Sequence, residues 1–144
     1  SWLANIFDSF ASKVIIIVIM INNFLIISCI GDDDKLGLKI NKDFFIQSIK
    51  KNNKEDLVTV IMNFLNSHNV KIDENFSVIV NQGPGSFSGI RISLAIAKGL
   101  QIAKKVKLFA YNSLDLELFN QENIENLVKK NLVEKNLIKP IYLS

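Results

Sequence analysis

Apolar positions along this chain follow two spacings, and each switch between them marks a new element. Residues 24–29, 35–41 and 43–48 are short apolar or alternating runs that predict three strands, the first two joined by the Gly31-Asp-Asp-Asp34 turn. With Asn53 as the expected cap, Leu57, Val60, Ile61, Phe64 and Leu65 then recur at helical spacing and make one apolar face. Residues 76–80 read as a buried strand, an alanine-rich helix follows to Lys104, and Val106, Leu108 and Ala110 alternate as a further strand. Ser113 is placed to cap another helix, and Ile124, Leu127, Val128, Leu132 and Val133 mark a last amphipathic one. Three strands, helix, strand, helix, strand describe one α/β unit, with no repeat or low-complexity linker interrupting it.

The passage from the strand at 76–80 into its helix, Asn81-Gln-Gly-Pro-Gly-Ser-Phe-Ser-Gly-Ile-Arg91, is the most informative part of the chain. Gly83 and Gly85 permit backbone angles closed to other residues, Pro84 stiffens the turn between them, and Ser86 or Ser88 can cap the helix through its side-chain oxygen. Within the helix, Gly89, Ser93 and Ala97 form one row of small residues at spacing four, and Ala95, Gly99 and Ala103 form another. Gly99 costs about 1 kcal/mol relative to Ala inside a helix, which asks for a packing reason. One row suits contact with the domain's own sheet; two rows predict two neighbours, one of them another protein. Arg91 is the only arginine among seventeen basic residues. It stands in the first helical turn, where the dipole disfavours a cation by about 0.3–1 kcal/mol. Its planar fork suits a carboxylate or phosphate, so a partner is expected, either within the domain or across an interface.

Composition narrows the classes. A chain of 144 residues with 49% apolar content can bury about 70% of its unfolded surface in one core. The net charge of +3 comes from scattered lysines without interleaved aromatic residues, the pattern of a solvated surface rather than a nucleic-acid groove. Cys29 is alone, which rules out an internal disulfide and suits a small buried hydrophobe in a reducing, cytoplasmic setting. His68 is alone too, in the polar stretch 66–69, and reads as a helix-end residue; zinc sites and histidine-based triads lack their parts, so no metal is expected. The triple aspartate reads as a solvated turn, because the alternating ligands and trailing Glu of a calcium loop are missing. Residues 14–21 and 24–30 are two apolar runs split by Asn22-Asn23, each far short of the ~20 residues of a spanning helix.

Enzymatic readings find little support. The G-x-x-x-x-G-K-[S/T] pattern is missing, Ser88 occupies the third glycine position of a dinucleotide fingerprint, and no acid lies near residue 105 to hold a ribose. An anion site made by the amides of Ser86 to Ile90 stays open as an alternative, that of a nucleotide- or anion-binding α/β enzyme using the Gly83–Ile90 turn. Ser86 and Ser88 lack a positioned base, so neither is an activated nucleophile.

The signature Gly83-Pro-Gly-Ser-Phe-Ser-Gly-Ile-Arg91 resembles the G-P-G-S-F-T-G-L-R motif of the TsaB (YeaZ) family, with Ser88 for Thr and Ile90 for Leu. Ala97-Lys-Gly-Leu100 matches the family's A-K-G-L, Ser113-Leu114 falls at its S-L, and Pro140-Ile-Tyr-Leu143 resembles its closing P-x-Y-L. The likeness runs over residues 20–144 and is densest over 76–113. It implies a ribonuclease-H-like half of the actin and sugar-kinase ATPase fold, with a mixed sheet and helices, and a non-catalytic subunit without a cofactor. Such a subunit supports a TsaD-type catalytic partner in making threonylcarbamoyladenosine beside the tRNA anticodon, with a TsaE-type ATPase as a further partner and no direct tRNA binding. Family members use a helical face for TsaD and a similar one for a homodimer. On this sequence that face is expected to carry Ile92, Ala95, Ile96, Gly99 and Ala103, beside a helix over about residues 54–66.

The departures from the family carry expectations too. Its first strand reads like I-L-A-I-D-T-S, whereas Phe24-Leu-Ile-Ile-Ser-Cys-Ile30 places Ser28 at the aspartate that serves metal and phosphates in ATP-using relatives. That implies no nucleotide hydrolysis. Few residues separate Ser113 from Pro140, so the second subdomain is expected to be largely missing. Met20-Ile-Asn-Asn resembles a family start, which makes residues 1–19 an expected upstream extension and 20–144 the TsaB-like domain.

Overall fold

The computed structural model describes residues 22–51 and 55–130. Strand β1 (Phe24–Ser28) is apolar for four residues because helices cover both its faces, and it stands at the centre of a five-stranded sheet in the order β3-β2-β1-β4-β5. On one side it pairs antiparallel with β2 (Lys35–Ile40), which pairs antiparallel with β3 (Asp43–Ser48). On the other it pairs parallel with β4 (Ser77–Asn81), and β4 with β5 (Lys107–Tyr111). The register sets Leu38, Leu25, Val78 and Leu108 in one cross-strand row and Leu36, Ile27, Val80 and Ala110 in the next. Rows of that parity face α1 (Leu57–Ser67) and α2 (Phe87–Lys104); the opposite parity, with Phe24, Ile26, Ile79 and Phe109, faces α3 (Gln121–Lys129). This mixed, helix-covered sheet has the architecture expected of the ribonuclease-H-like half.

Several boundaries differ from the sequence reading. The carboxylate of Asp56, and not Asn53, caps α1, accepting from the Thr59 amide at 2.8 Å. That bond holds the Asp56 carboxyl below its usual range. His68 closes the other end of α1, and its ring stacks on Phe45 of β3 at 3.9 Å between centroids. Strand β5 does not alternate as expected: Phe109 and Tyr111 are as enclosed as Leu108 and Ala110, since α3 covers the second face. Ser113 does not cap a helix. Asn112 caps the short 3-10 turn Ser113–Asp115 and Asn120 caps α3.

Among the described residues no helix is long and apolar enough to cross a membrane. The expected extension at 1–19, the start at Met20, Leu132, Val133 and the Pro140 motif lie outside the described residues.

Candidate interaction surface and signature turn

The signature turn begins where β4 ends. Asn81 is buried, and its amide works in two directions: Oδ1 accepts from the Gly83 amide at 2.9 Å while Nδ2 donates to Ser28 Oγ at 3.2 Å. The first bond is an Asx turn that draws the chain back on itself. Gly83 follows at φ +105°, a region that favours glycine, and its peptide with Pro84 is cis. Ser28 sits where the resemblance places an aspartate, and it is engaged with Asn81. Beside them the Tyr111 hydroxyl is buried without a well-formed hydrogen bond, and burial pushes its phenol well above the ordinary value despite the nearness of Ser28 and Asn81.

Two segments from elsewhere in the chain grip the turn. After β5, Ser113 donates its amide to the Gly83 carbonyl and its hydroxyl to the Pro84 carbonyl, both at 2.9 Å. From the β1–β2 connection, the Ile30 carbonyl accepts from the Ser86 amide at 2.7 Å. A side chain at Gly85 would lie 2.5 Å from Ile30 Cβ, and one at Gly89 would collide with the carbonyl oxygen of Cys29. These glycines are therefore required by the close passage of β1's continuation. Burial, with the nearby charge of Asp34, pushes the Cys29 thiol up to about 12 against a lowering bond from Ser93.

The N-terminus of α2 is built differently from the expectation. Ser86 occupies the cap position without a side-chain capping bond, and Ser88 lies inside the helix. For the anion alternative, the Ser86 amide already donates to Ile30 and the Ile90 amide to Ser86, and the carbonyls of Cys29 and Ile30 face the helix start. Among the described residues no three of His, Cys, Asp or Glu gather as a metal site.

Along α2 the two rows of small residues part company. Ser93 and Ala97 are fully buried with Ile90 and Leu94 against the sheet, and Ser93 Oγ donates back to the Gly89 carbonyl at 2.7 Å. Ala95, Gly99 and Ala103 are exposed, and a Cβ built on Gly99 meets nothing within 4 Å. Apolar side chains flank this outer row: Ile92 is 47% exposed and Ile102 82%. Ile96, expected on the same face, is half-buried and packs partly on the core. Arg91 is exposed, its guanidinium 4.8 Å from the centre of the Phe87 ring, and no carboxylate pairs with it among the described residues.

Sequence reasoning missed Ser113, Asn81 and the carbonyls of Cys29 and Ile30. The Asn81-x-Gly83 spacing was a legible Asx-turn signal. Ser113 and the two carbonyls act over long sequence separations and gave no local sign.

Comparison with known proteins supplies the family. The model of the family described as TsaD, tRNA N6-adenosine threonylcarbamoyltransferase, matches residues 47–130, more than half of the chain. The tRNA threonylcarbamoyladenosine biosynthesis protein TsaB of Buchnera aphidicola subsp. Schizaphis graminum is 28% identical over 87 residues, covering 58% of this chain and 41% of that protein. The TsaB of Buchnera aphidicola subsp. Baizongia pistaciae is 36% identical over 63 residues, 43% of this chain and 28% of its own length. That of Bacillus subtilis is 26% identical over 84 residues, 58% of this chain and 37% of its own length. The chain thus spans less than half the length of these curated relatives. Among solved structures, YeaZ from Pseudomonas aeruginosa superposes with a TM-score of 0.55 at 19% identity, covering 67% of this chain and 45% of that one, a likeness of fold. With more than half of its residues matched by that family model and its curated relatives named TsaB, the chain belongs to the TsaD-related family as a TsaB/YeaZ member.

Proposed function

We propose that this chain is a non-catalytic accessory subunit in tRNA threonylcarbamoyladenosine biosynthesis, and that the outer row of α2 docks on helices of a TsaD-type catalytic subunit. The observation that carries the reading is Gly99. It weakens α2 by about 1 kcal/mol relative to Ala, yet among the described residues it lies in open space and packs against nothing. A bare stretch of helix between Ile92 and Ile102 lets another backbone approach closely, and the exposed isoleucines supply apolar area to bury on contact. The curated relatives are named for this pathway, which supports the choice of partner. The signature turn has an architectural part: Ser113, Ile30 and Asn81 fix the start of α2, and so the direction in which its outer row points.

Co-purification with the TsaD-type subunit of the same organism tests this. Wild-type chain is expected to capture it, and Gly99→Arg to lose capture while keeping its melting temperature. Undiminished capture by Gly99→Arg would remove this surface from the interface.

A further inference from the structure

Exposed apolar surface does not stop at the outer row of α2. Phe87, the first residue of the helix, is 52% exposed, and Leu114, on the 3-10 turn after β5, is 76% exposed. Leu114 is brought to the start of α2 by its neighbour. Ser113 donates its amide to Gly83 and its hydroxyl to Pro84, and those residues lead directly into Ser86 and Phe87. The turn that carries Leu114 is also closed within itself: Asn112 accepts from the Leu114 amide at its side chain and from the Asp115 amide at its carbonyl, both at 2.9 Å. Leu114 is therefore presented on a fixed backbone. Leu118, 66% exposed, is tied elsewhere, since its carbonyl accepts from the Asn120 amide and from Asn123 Nδ2, both at 3.1 Å, at the start of α3. Charge also marks the region. No basic residue occurs from Leu108 to Val128, and Asp115 stands exposed next to Leu114, whereas Glu125 in the same stretch is 3.0 Å from Lys39.

Resting on the accessory-subunit reading above, we propose that the contact with the catalytic subunit continues from the outer row, past Phe87, to Leu114, and that the partner segment seated on Leu114 is apolar with a basic residue facing Asp115. A leucine held in water by a rigid turn gains by burial and loses little freedom on contact, because its backbone is already fixed. The carboxylate beside it favours a lysine or arginine on the facing segment and disfavours an acid. Ser113 then has a second task. The two bonds with which it grips the signature turn also hold Leu114 at a set place relative to α2, so that one rigid partner surface can meet both.

Affinity for the TsaD-type subunit of the same organism, measured for wild type, Leu114→Ser, Asp115→Lys, Leu118→Ser and Gly99→Arg at about 50 mM and about 500 mM salt, tests this. Leu114→Ser is expected to bind about tenfold more weakly at both salt concentrations, as the loss of one buried leucine would. Asp115→Lys is expected to bind more weakly at low salt, with the gap narrowing at high salt, and Leu118→Ser to bind as wild type does. If Leu114→Ser binds as tightly as wild type while Gly99→Arg does not bind, the anchor is overturned and the α2 face stands. A loss at Leu118→Ser equal to that at Leu114→Ser would also overturn it, because the whole loop would then be in contact rather than the end tied to α2. Tighter binding by Asp115→Lys at low salt would overturn the basic segment. Full binding by Gly99→Arg would remove the α2 face itself, and with it the contact that Leu114 extends.

Discussion

On the sheet side of α2, Gly89 lies against the Cys29 carbonyl just past β1 while Ser93 and Ala97 are buried; on the far side, Ala95, Gly99 and Ala103 are exposed. Both rows are small residues at spacing four, and from sequence they are interchangeable. Their surroundings separate them. Gly89 is small because a carbonyl oxygen of its own chain already fills the space a side chain would need. Gly99 is small with nothing near it among the described residues, so its cost to the helix is not recovered by any of them. One glycine stabilises the fold and the other burdens it, and a burden without internal compensation is what a docking surface leaves in the free subunit.

Substitutions can sharpen that contrast. The largest effect is expected at Gly89→Ala, where the added Cβ meets the Cys29 backbone and should cost about 2–3 kcal/mol, read as a lowered denaturation midpoint. Ser113→Ala removes the hydroxyl bond to Pro84 and should cost about 1 kcal/mol, with the amide bond to Gly83 kept. Gly99→Ala should instead stabilise the free chain by about 0.5–1 kcal/mol, raising its melting temperature by a few degrees. A destabilised Gly99→Ala would mean that the outer row is packed after all, and the contrast would collapse. The effect that is smallest near neutral pH concerns Cys29, which lies under the inner row. Its folded thiol is raised from an ordinary 9.0 to about 12, so its contribution to stability is complete below pH 9 and lost as pH rises toward 12. Denaturation of wild type and Cys29→Ala should therefore show a gap that is constant up to about pH 9 and drifts against wild type above it. A gap that stays flat through the alkaline range would show that the thiol is not shielded.

Much of the fold was legible because apolar spacing alone separates strands from helices here. The run at 24–27 is apolar without alternation, as a two-faced strand should be, and the Val60, Ile61, Phe64, Leu65 face of α1 admits only a helical reading. Caps were less legible. Asn53 and Asp56 both precede the apolar face at plausible distances, and only the bond to Thr59 distinguishes them. The site was half legible. Glycines and small rows announce that something comes close, but they carry no side chain to say what or from which side. Ser113 looked like a local cap because its true acceptors, the carbonyls of Gly83 and Pro84, lie on a loop that only the β4–β5 register brings beside it.

The most direct measurement attaches a short cross-linker to one engineered thiol, which the shielded Cys29 makes selective. Lys98→Cys places it on the flank of the outer row and Glu122→Cys on the exposed side of α3, across the sheet. With the TsaD-type subunit present, covalent capture from position 98 and none from position 122 is expected. Capture from position 122 alone would contradict docking through α2.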